Sequence, residues 1–416
     1  MIQTGKKRRY TVALINFVGL PPDHLRLNTA DREEIVEFFA NEVVKYDASW
    51  LDTVANEVYR QAGTICYTPE EFAQTEQGKA IKSQGLWTTD VVNDDKLPVV
   101  PWPRLKDQSL RPLAGIKVID ISRVIAAPTI TRILALLGAI VIRVSNNIEP
   151  EFGMLLLETN MGKYDMQINL KTPEGKAEMK HILSEADVIL DGYRPGCMKR
   201  LGFGRQAVHE MALKRGKGII YARENCYGWV GPWSSRSGWQ QISDCVTGVS
   251  WLQGKFLGLN EPVVPLLPNS DYQTGVIGAI AILQALYKRA HQGGSYNVDV
   301  SLSQFNIWYL DLGQYTETQC ANIMAKHPDL HLRHTDDMIS LTTKTIMTMT
   351  KSVGKIFGHQ NFENINSPKW NVENTGESIL LTVLAPVITF DRTNLSYNIG
   401  SCPPGSYDSG IGWNVV

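Results

Sequence analysis

The chain has few of the features that usually announce a function. Its six cysteines, Cys66, Cys197, Cys226, Cys245, Cys320 and Cys402, stand singly. With no CxxC pair and no Cys/His cluster at zinc-ligand spacing, neither a disulfide framework nor a metal site is expected, and reduced thiols in an intracellular protein are. A cytoplasmic setting is the first expectation, with a mitochondrial or peroxisomal one left open. No run of about 18 apolar residues occurs, so no membrane span is expected. Neither sign of charge dominates: 41 basic residues stand against 42 acidic, a formal net charge of -1. That balance argues against a nucleic-acid partner, yet leaves room for a local basic pocket facing an anionic ligand. Histidine is scarce, at eight residues. His327, His331 and His334 cluster in HPDLHLRH, but Pro328 lies inside the i, i+4 spacing. Its ring breaks helical geometry, so a solvated loop is expected there.

What is present reads as α/β. Hydrophobic residues make up 43% of the 416 and charged residues 20%, enough for a substantial core. Residues 1–93 form an expected smaller N-terminal α/β domain. It begins with the strand TVALINFV, whose basic lead-in (Lys6 to Arg9) is read as part of the strand rather than a signal peptide, because no small-residue cleavage site follows. Helices are expected over ADREEIVEFFANEVVKY, ASWLDTVANEVYRQAG and TPEEFAQTEQGKAIKSQ, the last with Thr68 as cap and Pro69 in its first turn. Residues 94–112 hold four prolines among polar residues and read as a linker. Residues 113–310 then alternate strands (IKVIDIS, AIVIRV, DVILDG, GIIYAR, SYNVDVSL) with helices, one starting at Pro128 and one capped by Thr172. That order predicts a Rossmann-like large domain, a parallel sheet with flanking helices. After its first strand the chain reads SRVIAAP instead of GxGxxG, so no nicotinamide or flavin is expected. Residues 311–416 form a C-terminal extension whose elements the pattern does not place.

Several separated blocks then carry a resemblance. PLAGIKVIDISRVIAAPTITRILALLGAIVIRV is similar to the opening of the large domain in family III CoA-transferases, the carnitine-dehydratase/bile-acid-inducible type that includes formyl-CoA transferase and alpha-methylacyl-CoA racemase. TNMGKYDMQINLKTPEGKAEMKHILSEADVILDGYRPG, IIYARENCYGWVGPW and SDYQTGVIGAIAILQALYKRAHQGGSYNVDVSL resemble its later blocks, in the same order. GTICYTPEEFAQTEQGKAI resembles the end of the family's small domain, so the chain looks like a fungal-type two-copy member with a truncated first copy.

The resemblance implies coenzyme A as co-substrate, an acyl-CoA and a small carboxylic acid as partners, and a homodimer. Arg123, Val124, Ile125 and Ala126 would contact the nucleotide and pantetheine arm, as would Asn160, Lys163, Gly192, Tyr193, Arg194 and Arg200. Asn225, Tyr227 and Trp239 would line the acyl pocket. Gly192 stands where relatives have asparagine, and Ser145 where many have an acid. Asp271, in PNSDYQTG, falls on the family's nucleophilic aspartate; by its own residue type it would equally serve as a helix cap. A carboxylate suits the chemistry because attack on a thioester gives a mixed anhydride, and return of the thiolate gives an enzyme–CoA thioester that keeps the acyl activation. Two alternatives remain beside transfer. An acyl-CoA racemase needs two facing acid–base groups, and Trp239 and Gln240 stand where its histidine and aspartate would be, with Asp244 a turn further on. A non-catalytic CoA-binding homologue would account for the absence of the family's glycine-rich loop, for which GSCPPGSYDSGIG is the nearest candidate.

Overall fold

In the computed structural model, which describes residues 31–92, 97–103, 111–146, 148, 151–371 and 378–415, the expected alternation becomes one mixed sheet. Helices α1 (Arg32–Val43), α2 (Ala48–Thr53), α3 (Pro69–Gln74) and α4 (Glu76–Lys82) precede strand β1 (Trp87–Val91). Then follow β2 (Lys117–Ile121), α5 (Ala126–Leu136), β3 (Ile140–Ser145), α6 (Gly153–Thr159), β4 (Lys163–Gln167), α7 (Pro173–Leu183), β5 (Val188–Asp191), α8 (Cys197–Leu201), α9 (Arg205–Lys214) and β6 (Ile220–Asn225). α10 (Gln240–Val246), α11 (Val249–Phe256) and α12 (Asn269–Gln292) lead to β7 (Tyr296–Ser301). The rest comprises α13 (Leu302–Asp311), α14 (Glu317–Met324), α15 (Met338–Ser352) and a hairpin of β8 (Phe362–Asn371) and β9 (Ser378–Leu384).

The seven-stranded order is β1-β7-β6-β5-β2-β3-β4. β2 to β7 pair in parallel, and β1 joins the β7 edge antiparallel. The chain enters at β2, winds out to β4, then returns to β5 on the other side. The reversal opens a crevice at the carboxyl ends of β2 and β5, where doubly wound folds bind ligands. Burial on both faces explains the near-continuous apolar strands. Val118 joins a core with Ile130 and Leu134 of α5 and Ile282 and Leu286 of α12. Its neighbours Ile119 and Ile121 join the opposite core with Met179 and Ile182 of α7 and Val208 of α9. α5 and α12 pack unusually close: a Cβ at Gly275 would lie 2.5 Å from Thr129 Cγ2, and one at Gly278 would lie 2.4 Å from Ile130 Cδ1.

The expected boundaries meet this architecture as follows. The strand TVALINFV lies outside the described residues. β1 falls inside residues 1–93 yet pairs with β7, Trp87 opposite Val300, so the 94–112 segment connects two parts of one sheet. The third N-terminal helix breaks at Thr75 into α3 and α4, each with its own threonine cap; Thr68 and Glu71 close a capping box as the sequence predicts. The second is an α-turn that continues as a π-helix over Val54–Val58. The helix expected from Pro128 starts at Ala126, because proline in a first turn forfeits no intrahelical bond. The C-terminal extension returns to the body: Trp413 is buried and its Nε1 donates to the Ile182 carbonyl at 2.8 Å, while Tyr407 bridges to Met166 of edge strand β4. No helix among the described residues is long and apolar enough to cross a membrane.

Candidate active site

The crevice is a cleft of about 620 Å³, its open mouth included. Four segments build it: the turn after β2 (Arg123 to Ala126), the turn after β5 (Gly192 to Pro195), the end of β6 (Glu224 to Cys226) and the approach to α10 (Arg236 to Trp239). Asp271 and Leu302 complete the wall. The first turn is strained. Val124 has φ 79°, a left-handed conformation that a β-branched residue rarely adopts, worth about 1–3 kcal/mol. The kink lets α5 begin at once, and its N-cap, Ile125, makes no side-chain capping bond. The first-turn N–H groups of α5 are thus left for an anion at the positive end of the helix. Gly192 is required by close approach, since a Cβ there would lie 2.6 Å from Ala127 Cβ and 2.8 Å from Ser122 Cβ. The glycine that departs from the family pattern is what lets the β5 turn close onto the start of α5.

Asp271 is the third residue of α12 and 9% exposed. The N-cap is Pro268 and no side chain caps this helix, so the capping reading of Asp271 is corrected: three residues inside the helix, it lies beyond the cap position. Its turn is pinned from below. Ser270 Oγ donates to Asp244 Oδ1 at 3.1 Å, and Asn306 Nδ2 donates to the same oxygen at 2.9 Å. Burial pushes the Asp271 carboxyl well above the usual carboxylate range, with the charges of Glu224 and Asp244 adding to it. Burial likewise pushes Glu224 up to about 8. Asp244 is pushed by burial to about 6, against hydrogen bonds from Asn306, Ser270 and Gln240.

Ten of the expected site residues line this cleft: Arg123, Val124, Ile125, Ala126, Gly192, Tyr193, Arg194, Asn225, Trp239 and Asp271. Four do not. Lys163 is fully buried, its Nζ donating at 2.8 Å to both Asp120 Oδ2 and the Pro128 carbonyl. It braces β2 against α5 from behind the ligand side. Asn160 is equally buried, with its amide on Asp165 Oδ2 and the Cys402 carbonyl. Tyr227 is in the core, its hydroxyl on the Gly63 carbonyl at 3.2 Å. Arg200 is exposed on α8, outside the wall. Only Tyr227 stands beside a lining residue, Cys226; the segments that carry Asn160, Lys163 and Arg200 lie outside the wall. The glycine-rich candidate at 400–412 docks on β4, Gly405 N donating to Asp165 Oδ1, away from the cleft. Asp244, the stand-in for a racemase base, is buried and held by neighbours, and no histidine lines the cleft. Two charged residues of the wall escaped the sequence reading. Arg236 is held by Asp52 and Glu57 of the N-terminal segment at 2.9 and 3.1 Å. Glu224 stands in IIYARENCYGWVGPW next to the end of β6, and a carboxylate in an otherwise buried strand was the available signal.

Comparison with known proteins places the family and the fold. The chain is 39% identical over 393 residues to an acetyl-coenzyme A transferase of Hypoxylon pulicicidum, covering 92% of this chain and 64% of that protein. It is 38% identical over 291 residues to an acyl-CoA transferase of Gibberella moniliformis, covering 69% of this chain and 50% of that one. The chain therefore spans between half and two thirds of the length of these relatives. In fold it is similar to a CAIB/BAIF family protein from Brucella suis, with a TM-score of 0.51 at 17% identity, over 72% of this chain and 98% of that structure. Residues 113–336, which contain the crevice, α12 and Asp271, match a family described as CoA-transferase family III, and the chain belongs to that family.

Proposed function

We propose that the chain moves coenzyme A from an acyl-CoA thioester to a carboxylic acid, with Asp271 as the nucleophile. The observation that carries this reading is a buried carboxyl at the switch-point crevice, with no cation paired to it among the described residues. A carboxylate so placed is desolvated and therefore reactive, and its position in the first turn of α12 favours its ionised form. It attacks the thioester carbonyl; the C–S bond breaks and an acyl–aspartyl anhydride remains. The thiol returns to the aspartyl carbonyl, releases the first acid and leaves an aspartyl–CoA thioester. The acceptor acid then reverses the sequence. The open N–H groups of α5 and the nearby Arg123 and Arg194 suit the phosphates of the nucleotide, and half-exposed Trp239 suits the acyl chain. Coenzyme A is a co-substrate here and the chain's own carboxyl supplies the covalent chemistry.

The acetyl-coenzyme A transferase among the relatives makes acetyl-CoA the first donor to try. Mass spectrometry after incubation with an acyl-CoA panel should find CoA or acyl adducts on Asp271, removable by hydroxylamine. Deuterium exchange at the α-carbon without any adduct would replace this reading with an isomerase. A homodimer is also proposed, supported by the exposed apolar side chains Val276, Ile280 and Tyr287 on α12, Trp308 on α13 and Leu312 just after it. Sedimentation equilibrium giving the monomer mass at all concentrations would remove it.

A further inference from the structure

The wall of the cleft holds a second carboxyl that the transfer mechanism above does not use. Glu224 ends β6, half-buried, and faces the same space as Asp271 from the opposite element. Every charged side chain around it is committed elsewhere or repels it. Arg123 pairs with Glu151 at 3.5 Å, Arg194 donates to the Arg60 carbonyl, and Arg236 is held by Asp52 and Glu57. From its own strand Arg223 points away to Asp299. Asp271 of α12 is the acid that its charge meets directly, with Asp244 of α10 behind. Two carboxyls facing one cleft, with no cation paired to either among the described residues, hold a single negative charge between them rather than two. The charge of Glu224 raises Asp271, so one proton is shared between the two, and the helix N-terminus under Asp271 favours the arrangement with that proton on Glu224.

We infer that Glu224 is the acid that protonates the departing coenzyme A sulfur, and the base that takes the proton back. This rests on the reading of Asp271 as nucleophile. In the first step an Asp271 oxygen bonds to the acyl carbon, the C–S bond breaks with its electron pair going to sulfur, and the Glu224 O–H proton moves to that sulfur. The products are the mixed anhydride, neutral CoA thiol and the Glu224 carboxylate. In the second step the Glu224 carboxylate removes the S–H proton as sulfur attacks the aspartyl carbonyl, and the first acid leaves as carboxylate. The charge moves from Asp271 to Glu224 and then out with the product, so the cleft never carries two. A carboxyl raised by burial to about 8 is matched to a thiol, whose ordinary value is about 8.5, and such matching is where proton transfer is most effective.

The experiment reads release of the first acid, because the thiol set free in the first step is consumed in the second. The full chain is mixed with acetyl-CoA and other acyl-CoAs without an acceptor, and the free acid is followed by rapid quench from pH 6 to pH 10. The parent is expected to give a burst of one acid per chain that slows as pH rises through about 8. Glu224→Gln is expected to slow that burst about 100-fold and to abolish the alkaline fall, with thermal protection by acyl-CoA unchanged. Asp271→Asn is expected to give no burst. Glu224→Gln bursting at the parent rate with the parent pH profile, while Asp271→Asn is dead, overturns the Glu224 assignment alone. A burst retained in Asp271→Asn, or none in the parent with any acyl-CoA, overturns both. Should Glu224→Gln fold poorly, Glu224→Asp, which keeps the acid on a shorter arm, is expected to burst slowly but keep an alkaline fall; loss of that fall would count against the proposal.

Discussion

At the scale of single residues, environment rather than type decides each role. Lys163 is of the kind that binds a phosphate, yet it lies fully buried against Asp120. Burial alone would raise Asp120, but Lys163 and hydrogen bonds from Ser122 and Thr131 outweigh it and hold the carboxyl low. Lys163→Met should therefore cost about 3–5 kcal/mol by stranding a buried charge, measured by chemical denaturation, while the protein that remains folded binds acyl-CoA as before. A loss of binding with unchanged stability would restore Lys163 to the ligand. Val124 makes the complementary case. Val124→Gly relieves the positive φ and should raise stability by about 1 kcal/mol while weakening acyl-CoA binding, because the turn is no longer held open. Glu224 also leaves a mark on stability. Its carboxyl rises from 4.5 to about 8 on folding, so its contribution is intact below the lower value and is lost as pH climbs through the higher. Glu224→Gln removes that loss, and its melting temperature relative to the parent should increase between pH 5 and pH 9. Asp244 and Asp191 shift in the same direction but stand in both proteins, so the difference reports Glu224 together with Asp271, which its charge raises.

At the scale of elements, the site depends on the registry of two helices. α5 and α12 begin at the crevice and cross closely enough that only hydrogen fits at Gly275 and Gly278. Gly275→Val would drive its side chain into Thr129, forcing α12 outward. A destabilisation of about 1–3 kcal/mol is expected, with a fall in turnover larger than the fall in substrate affinity because the carboxyl of Asp271 moves with its helix. Equal turnover per folded molecule would show that the helix spacing does not set the carboxyl. The elements themselves were legible where they are buried and regular: β2, β5 and β7 fall within the apolar runs quoted, β3 and β6 overrun theirs by one and two residues, and Thr68 and Thr172 cap as expected. β4 was missed because KYDMQ mixes charged and apolar residues; its Lys163 and Asp165 are buried through ion pairs that only the folded chain supplies. β1 was missed for a related reason. As an edge strand with one paired neighbour it carries only weak patterning.

At the scale of the whole molecule, segments far apart in sequence close one body. β1 is added to the β7 edge from before the proline-rich stretch, and the last residues return to the β4 edge. Trp413→Ala should cost about 3–5 kcal/mol by thermal or denaturant unfolding, since its ring completes the core under α7, and a neutral result would show the tail to be loosely held. By itself the sequence determined the layered α/β class, the family, the elements with strong patterning and the loops that reach the crevice. Hydrophobic periodicity, cap chemistry and motif order are local properties, and a linear reading recovers local properties. Tertiary structure decided which side chains of those loops face the cleft, because orientation depends on what packs behind each one. It turned Lys163, Asn160 and Tyr227 into the core, set Asp271 inside its helix instead of at the cap, and placed Glu224 opposite it. The meeting of those two carboxyls in one cleft spans 46 intervening residues of chain, from 224 to 271, which no local pattern encodes.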